Sequence, residues 1–107
     1  HGAAAVADSY ADGFGPDAIF AAEGDLSAIG ALHELHRRGR KVPEEVGLIS
    51  GEGSSYSCTT EPKLSSIYAP YDLRAAGAVD MLVEILDGGP RPKNRLIPMT
   101  FQEGESF

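Results

Sequence analysis

PDAIFAAEGDLSAIGALHELHRRGRKVPEEVGLIS, residues 16–50, decides the fold. Asp17–Ala22 is a short apolar run closed on one side by Gly15-Pro16 and on the other by Glu23-Gly24, which predicts a buried strand. Gly24-Asp25 supplies a turn, and Asp25 is the expected N-cap of the helix that follows to about Arg38. Arg37 and Arg38 set cations at the negative end of the helix dipole, and Gly39 then stops it. Pro43 blocks re-entry into helix, and Glu45–Ser50 reads as the next strand. A helix between two buried strands is a βαβ unit with an expected right-handed crossover. Ligands of open parallel sheets bind beyond the carboxyl ends of the strands, so Ala22–Asp25 and Ser50–Ser55 are the expected functional edge.

The rest of the chain extends this pattern. Gly2–Gly13 is Ala-rich, the composition of a helix, and is expected to be the second half of one, ended by Phe14-Gly15-Pro16. The stretch after Ser50, through Lys63, is polar and Gly/Ser-rich, a surface loop at a strand's carboxyl end. Leu64–Tyr68 predicts a third strand. Asp72–Leu86 predicts a helix, with Ala75, Val79, Leu82, Val83 and Leu86 at helical spacing, and Asp87-Gly88-Gly89-Pro90 stops it. Arg91–Asn94 is a polar linker. Leu96–Phe101 is a final strand in which Pro98 predicts an edge or a bend, and Gln102–Phe107 is a polar tail.

At 107 residues the chain holds one domain or less, and 42% hydrophobic residues suffice for a globular core. No run of eighteen apolar residues predicts a membrane span. The first residue is His1 rather than Met, no signal peptide is visible, and the lone Cys58 allows no internal disulfide, which suits a reducing cytosol. The net charge of −7 works against phosphate binding. The one basic cluster, Arg37-Arg38 with Arg40-Lys41, reads as a helix C-terminus, so this chain alone is not expected to bind DNA.

The chemistry-bearing residues give few candidates. His33 and His36 share a helical face, but no third ligand stands at a recognised spacing, so no metal is expected. Gly51-Glu52-Gly53-Ser54 lacks the Lys-Ser/Thr of a phosphate loop, Gly-x-Ser-x-Gly is absent, and nothing around Cys58 marks a nucleophile. No catalytic residue, enzyme activity or cofactor is expected. Asp25 stays as a choice between a helix cap and a carboxylate that accepts hydrogen bonds from a small ligand's hydroxyls or ring nitrogens. The apolar positions of the helix spread over roughly 220°. Ala28, Ala31 and Leu35 form one stripe, and Leu26, Ile29 and Leu32 a second beside His33 and His36. The second stripe needs a cover, either a neighbouring helix or another subunit.

DAIFAAEGDLSAIGALHELHRRGRKVPEEVGLIS resembles the ligand-sensing core of the LacI/GalR family of bacterial transcription regulators. Asp25, Ala28-x-Gly30-Ala31-Leu32, Gly39, Val42-Pro43-Glu44-Glu45-Val46 and Pro62-x-Leu64-Ser65-Ser66-Ile67 fall in that family's register, across essentially the whole chain. The resemblance implies a three-layer α/β fold with a mostly parallel sheet, part of a periplasmic-binding-protein-like sensor domain over 1–107. The lobe core would span about 14–68, and a crossover helix with the final strand about 70–101. It also implies that Asp25 contacts an effector, with Glu52 at the place of the first acid of the family's later Asp-Asp pair, whose second acid is lost here. It puts Ile29, Leu32, His33 and His36 at a dimer interface. Two departures stand out: Gly24 replaces the family's Asn, and Ser50-Gly51-Glu52-Gly53 replaces a Gly-Phe-Asp-Asp segment. The implied function is a cytoplasmic sensing fragment that binds a sugar-like or nucleoside-like effector as a homodimer. It would touch DNA only through an N-terminal helix-turn-helix and would not touch a membrane. The alternatives are an extracytoplasmic sugar-binding protein of a transporter and a flavodoxin-like enzyme or phosphoacceptor, for which the acid cluster with Lys is missing. The apolar face of Asp72–Leu86, which docks on another lobe in the family, is expected to be covered by this chain's own sheet or by a second copy.

Overall fold

The computed structural model describes residues 1–11, 13 and 15–107; the expected helix stop and the start of the expected lobe core fall partly on Phe14, outside the described residues. Two compact units divide the chain: 1–68 with 100–107, and 69–99.

The first unit is built on a four-stranded sheet in the order β1 (Ala18–Ala21), β2 (Gly47–Ser50), β3 (Ser65–Tyr68), β4 (Thr100–Gln102). The first three strands run parallel, with Ala18 opposite Gly47 and Ile49 opposite Ser65. β4 returns antiparallel on the edge, with Tyr68 opposite Thr100. The expected α/β class with a mostly parallel sheet is therefore observed. The last strand begins later than the sequence suggests. Pro98 lacks the N–H a ladder needs and restricts Ile97 before it, so pairing starts only at Thr100.

Helix α1 (Gly2–Ser9) and helix α2 (Asp25–Arg37) pack on one another. A Cβ on Gly2 would collide with the Ser27 carbonyl, and one on Gly30 would lie 3.3 Å from the Ala3 nitrogen, so the two backbones approach closely because both positions lack side chains. The core comprises Val6 of α1, Ala28, Ala31, Leu32 and Leu35 of α2, then Val42, Val46, Leu48 and Leu64. Beyond α2, Arg40 N–H bonds to the Leu35 carbonyl at 2.9 Å and Gly39 N–H to that of His36 at 2.9 Å, the closure expected of a helix ending in Gly.

The tail is not the loose polar end that its composition suggests. Ser106 is fully buried and joins β2 to β3. Its hydroxyl donates to the Leu48 carbonyl at 2.5 Å and accepts from Ser65 N–H at 2.9 Å, while its own carbonyl accepts from Leu48 N–H at 2.6 Å. Glu105 N–H reaches the Lys63 carbonyl at 2.8 Å. The segment closes backbone groups that β2 and β3 leave open at their amino ends.

In the second unit, α3 (Tyr71–Leu86) starts directly after Pro70, one residue before the expected Asp72. Within α3 only Gly77 is buried, and Leu73, Val79, Leu82, Val83, Ile85 and Leu86 are exposed.

Candidate functional site

The carboxyl ends of the parallel strands open into two short loops, Ala22–Gly24 after β1 and Gly51–Ser54 after β2. Both meet at the first turn of α2. Asp25 sits there as the first helical residue, not as the cap; Gly24, at φ 106° and ψ −170°, is the cap residue. That φ is open to Gly and strained for other residues.

Asp25 is fully buried, and its carboxylate is saturated by the chain itself. Oδ1 accepts from the Ser50 hydroxyl and from Gly53 N–H at 3.3 Å. Oδ2 accepts from Ser54 N–H at 2.7 Å and the Ser54 hydroxyl at 2.6 Å. Burial on its own raises the pKa of Asp25, but the hydroxyls of Ser50 and Ser54 and the N–H groups of Ser54 and Gly53 outweigh it and hold the group below the ordinary value. In this arrangement the chain's own donors engage the carboxylate that the resemblance assigns to an effector. A carboxylate has about four acceptor positions, four donors of the chain fill them, and no surface remains for a ligand. What Asp25 does is fix the loop that follows β2 onto the start of α2.

Glu52 is half-buried, and its Oε2 accepts from Asp25 N–H at 3.1 Å, so it closes one of the open N–H groups at the helix start. It can do so because position 24 is glycine: a Cβ there would collide with Glu52 Oε2. The two departures noted from the sequence are thus one structural event, with the acid of the second loop resting on the space that the missing side chain leaves. Glu23 is exposed and accepts from the Ser27 hydroxyl at 2.9 Å. The loop past β2 continues into a short 3-10 turn, Ser55–Cys58, capped by the Ser54 hydroxyl, which accepts from Tyr56 N–H at 3.3 Å. The sequence reading missed Ser50 and Ser54. Their signal was present as serines at the carboxyl end of an apolar strand, beside a buried acid, although either alone reads as a loop residue.

The residues expected at a subunit interface divide. His33 and His36 are exposed, and Ile29 is partly buried against the core. Leu32, at 4% exposure, packs in this chain's own core. α1 packs against Ser27, Gly30 and Ala31, not against that second stripe, and Leu26 remains 72% exposed. A groove of about 520 Å³ runs between α1 and β1, along Val6, Ser9, Ile19 and Phe20; it reaches this edge at Ala22 and Glu23 but is not lined by Asp25 or Glu52. Among the described residues, no three His, Cys, Asp or Glu side chains group as a metal site.

Residues 1–107 match the family described as periplasmic binding protein-like domain. The chain is 33% identical over 81 residues to the HTH-type transcriptional regulator CelR of Thermobifida fusca, covering 76% of this chain and 24% of that protein. To the HTH-type transcriptional regulator AscG of Escherichia coli K12 it is 38% identical over 68 residues, 64% of this chain and 20% of that one. Among solved structures, a CelR–cellobiose complex superposes with a TM-score of 0.90 at 29% identity over 99% of this chain and 32% of that one. A LacI family regulator from Arthrobacter sp. FB24 in complex with lactose gives 0.86 at 28% identity over 98% of this chain and 40% of that one. The chain spans about a quarter of the length of the curated relatives it matches.

Proposed function

Since the chain belongs to the periplasmic binding protein-like domain family, we propose that it is the effector-sensing part of a LacI-type transcription regulator. The observation that carries this reading is the edge itself. Two loops at the carboxyl ends of adjacent parallel strands are locked to one helix start through Asp25, so the backbone of Gly51–Ser54 and the Glu52 carboxylate are held in place before any ligand arrives. A preformed, polar, non-catalytic edge suits recognition of a hydroxyl-rich small molecule, and the CelR and Arthrobacter structures are complexes with cellobiose and lactose. Of these two acids, Glu52 is the one with surface to offer an effector, and Asp25 acts behind it.

In this reading the chain is not an enzyme and needs no cofactor. Effector binding shifts the arrangement of a two-lobed sensor and so the operator affinity of a helix-turn-helix outside these 107 residues. The site of action is the cytoplasm; among the described residues no helix is long and apolar enough to cross a membrane. The exposed side of α2, with His33, His36, Ile29 and Leu26, is the surface for a second copy, and the apolar face of α3 is the surface for the rest of the sensor. The transporter alternative is less well supported, because the relatives reported above are regulators. Thermal shift against neutral sugars, nucleosides and sugar phosphates, with light scattering alongside, tests the proposal. A saccharide-induced rise in melting temperature supports it, and a flat response across the panel opposes it.

A further inference from the structure

The carboxyl-end edge of the sheet unit carries acids and no cation, whereas at the amino ends cations and acids are mixed, Arg37 and Arg38 pairing with Glu34 and Arg40 with Glu45. The unit's Lys and Arg side chains are Arg37, Arg38, Arg40, Lys41 and Lys63, and all stand in the stretches leading into the amino ends of β2 and β3. The carboxyl ends carry Glu23, Asp25 and Glu52, with no Lys or Arg in 22–25 or 50–54. One feature of this edge works the other way. The start of α2 is a 13-residue helix's positive end, which by itself attracts anions such as phosphate. Glu52 already occupies it: its carboxylate takes the Asp25 N–H, with the ionised Asp25 side chain buried behind and no side chain at Gly24 to screen it.

We propose, resting on the effector reading above, that this face selects its effector by charge. It takes an uncharged or amino-bearing polyol and rejects a phosphorylated or acidic one, and Glu52 is the specificity-determining residue. A ligand phosphate would have to displace Glu52 from the helix start or lie beside its charge. A hydroxyl or ammonium can donate to the carboxylate where it stands. Glu23 adds the same sign at the rim. The cations at the far end of the strands, largely paired with Glu34 and Glu45, do not offset it.

The test uses the full chain and three ligands on one scaffold: glucose, glucosamine and glucose 6-phosphate, measured by calorimetry at low salt. The expected order is glucosamine at least as tight as glucose, with glucose 6-phosphate about tenfold or more weaker, the scale of one unscreened charge at a few ångströms. In Glu52→Gln the amide oxygen still accepts from Asp25 N–H, so circular dichroism should be unchanged while the discrimination falls about tenfold. A second readout needs no sugar. A cationic nitroxide should relax the amide protons of Gly51–Ser54 more than an anionic one, and E52Q should narrow the gap. Glucose 6-phosphate binding as tightly as glucose, an unchanged ratio in E52Q, or stronger relaxation by the anionic probe would overturn the inference and leave the effector reading standing. If none of the sugars binds although the nitroxides behave as expected, the effector reading falls and takes the inference with it.

Discussion

Ser54 is joined to Asp25 twice, by its N–H at 2.7 Å and its hydroxyl at 2.6 Å, both to Oδ2. One buried side chain thereby ties the loop after β2 to the helix after β1. Asp25→Asn places an amide NH₂ against donors and leaves at least one of them unmet, which costs about 1–3 kcal/mol per orphaned group. Urea unfolding should show that loss, and hydrogen exchange should show faster opening at Gly53 and Ser54 than in the core. Equal stability of the variant would remove Asp25 from this role.

Acid should loosen both ends of α2. Asp25 and Glu34 both have folded pKa values below their ordinary ones, so the stability they contribute is complete above the unfolded values and fades as pH falls through the folded ones. For Glu34, hydrogen-bonded by Arg37 and Arg38 at 2.7 Å, the window runs from its ordinary 4.5 down to about 2. Glu34→Gln should flatten the stability-against-pH curve across that window and leave the neutral-pH fold unchanged, as read by unfolding midpoints from pH 7 to pH 2.

Gly24→Ala combines a φ of 106° with a collision against Glu52. The expected cost is about 1–3 kcal/mol, together with release of Glu52 from the helix start. Combining it with Glu52→Ala should recover the part due to collision and leave the backbone part, a non-additivity that a double-mutant cycle measures.

Ser106→Ala should cost about 1–3 kcal/mol, because the Leu48 carbonyl and Ser65 N–H lose their partner deep in the sheet. A core comparison is Leu35→Ala, at about 2–5 kcal/mol for a fully buried leucine. If removal of residues 104–107 left the melting temperature unchanged, the tail's place between β2 and β3 would be wrong.

The strand–helix–strand stretch was legible because its signals are local and agree. Apolar runs of strand length flank a helical period, and a C-terminal Arg-Arg-Gly stop has the hydrogen bonds its pattern implies. The family register read from Ala28–Leu32 and Val42–Val46 is matched by the comparisons over the whole chain. Three things were not legible, each because it depends on contacts distant in sequence. Leu32 looked like part of an outward stripe, but its surroundings bring Val42, Val46 and Leu48 into the same core. Asp25 offered two roles on paper, and its four donors, from 25 to 29 residues away, impose a third. Ser106 lies in a polar tail whose partners are 41 and 58 residues earlier.

The central claim is that the loops 22–25 and 51–54 form an effector face. An amide chemical-shift map of the labelled chain during titration with cellobiose and lactose tests it most directly. The account predicts shifts concentrated at Gly24 and Gly51–Ser54, with the amino ends of the strands and the Val6, Ser9 and Ile19 part of the α1–β1 groove undisturbed. Shifts confined to Val6, Ser9 and Ile19 or to the amino ends, or none at saturating sugar, would contradict it.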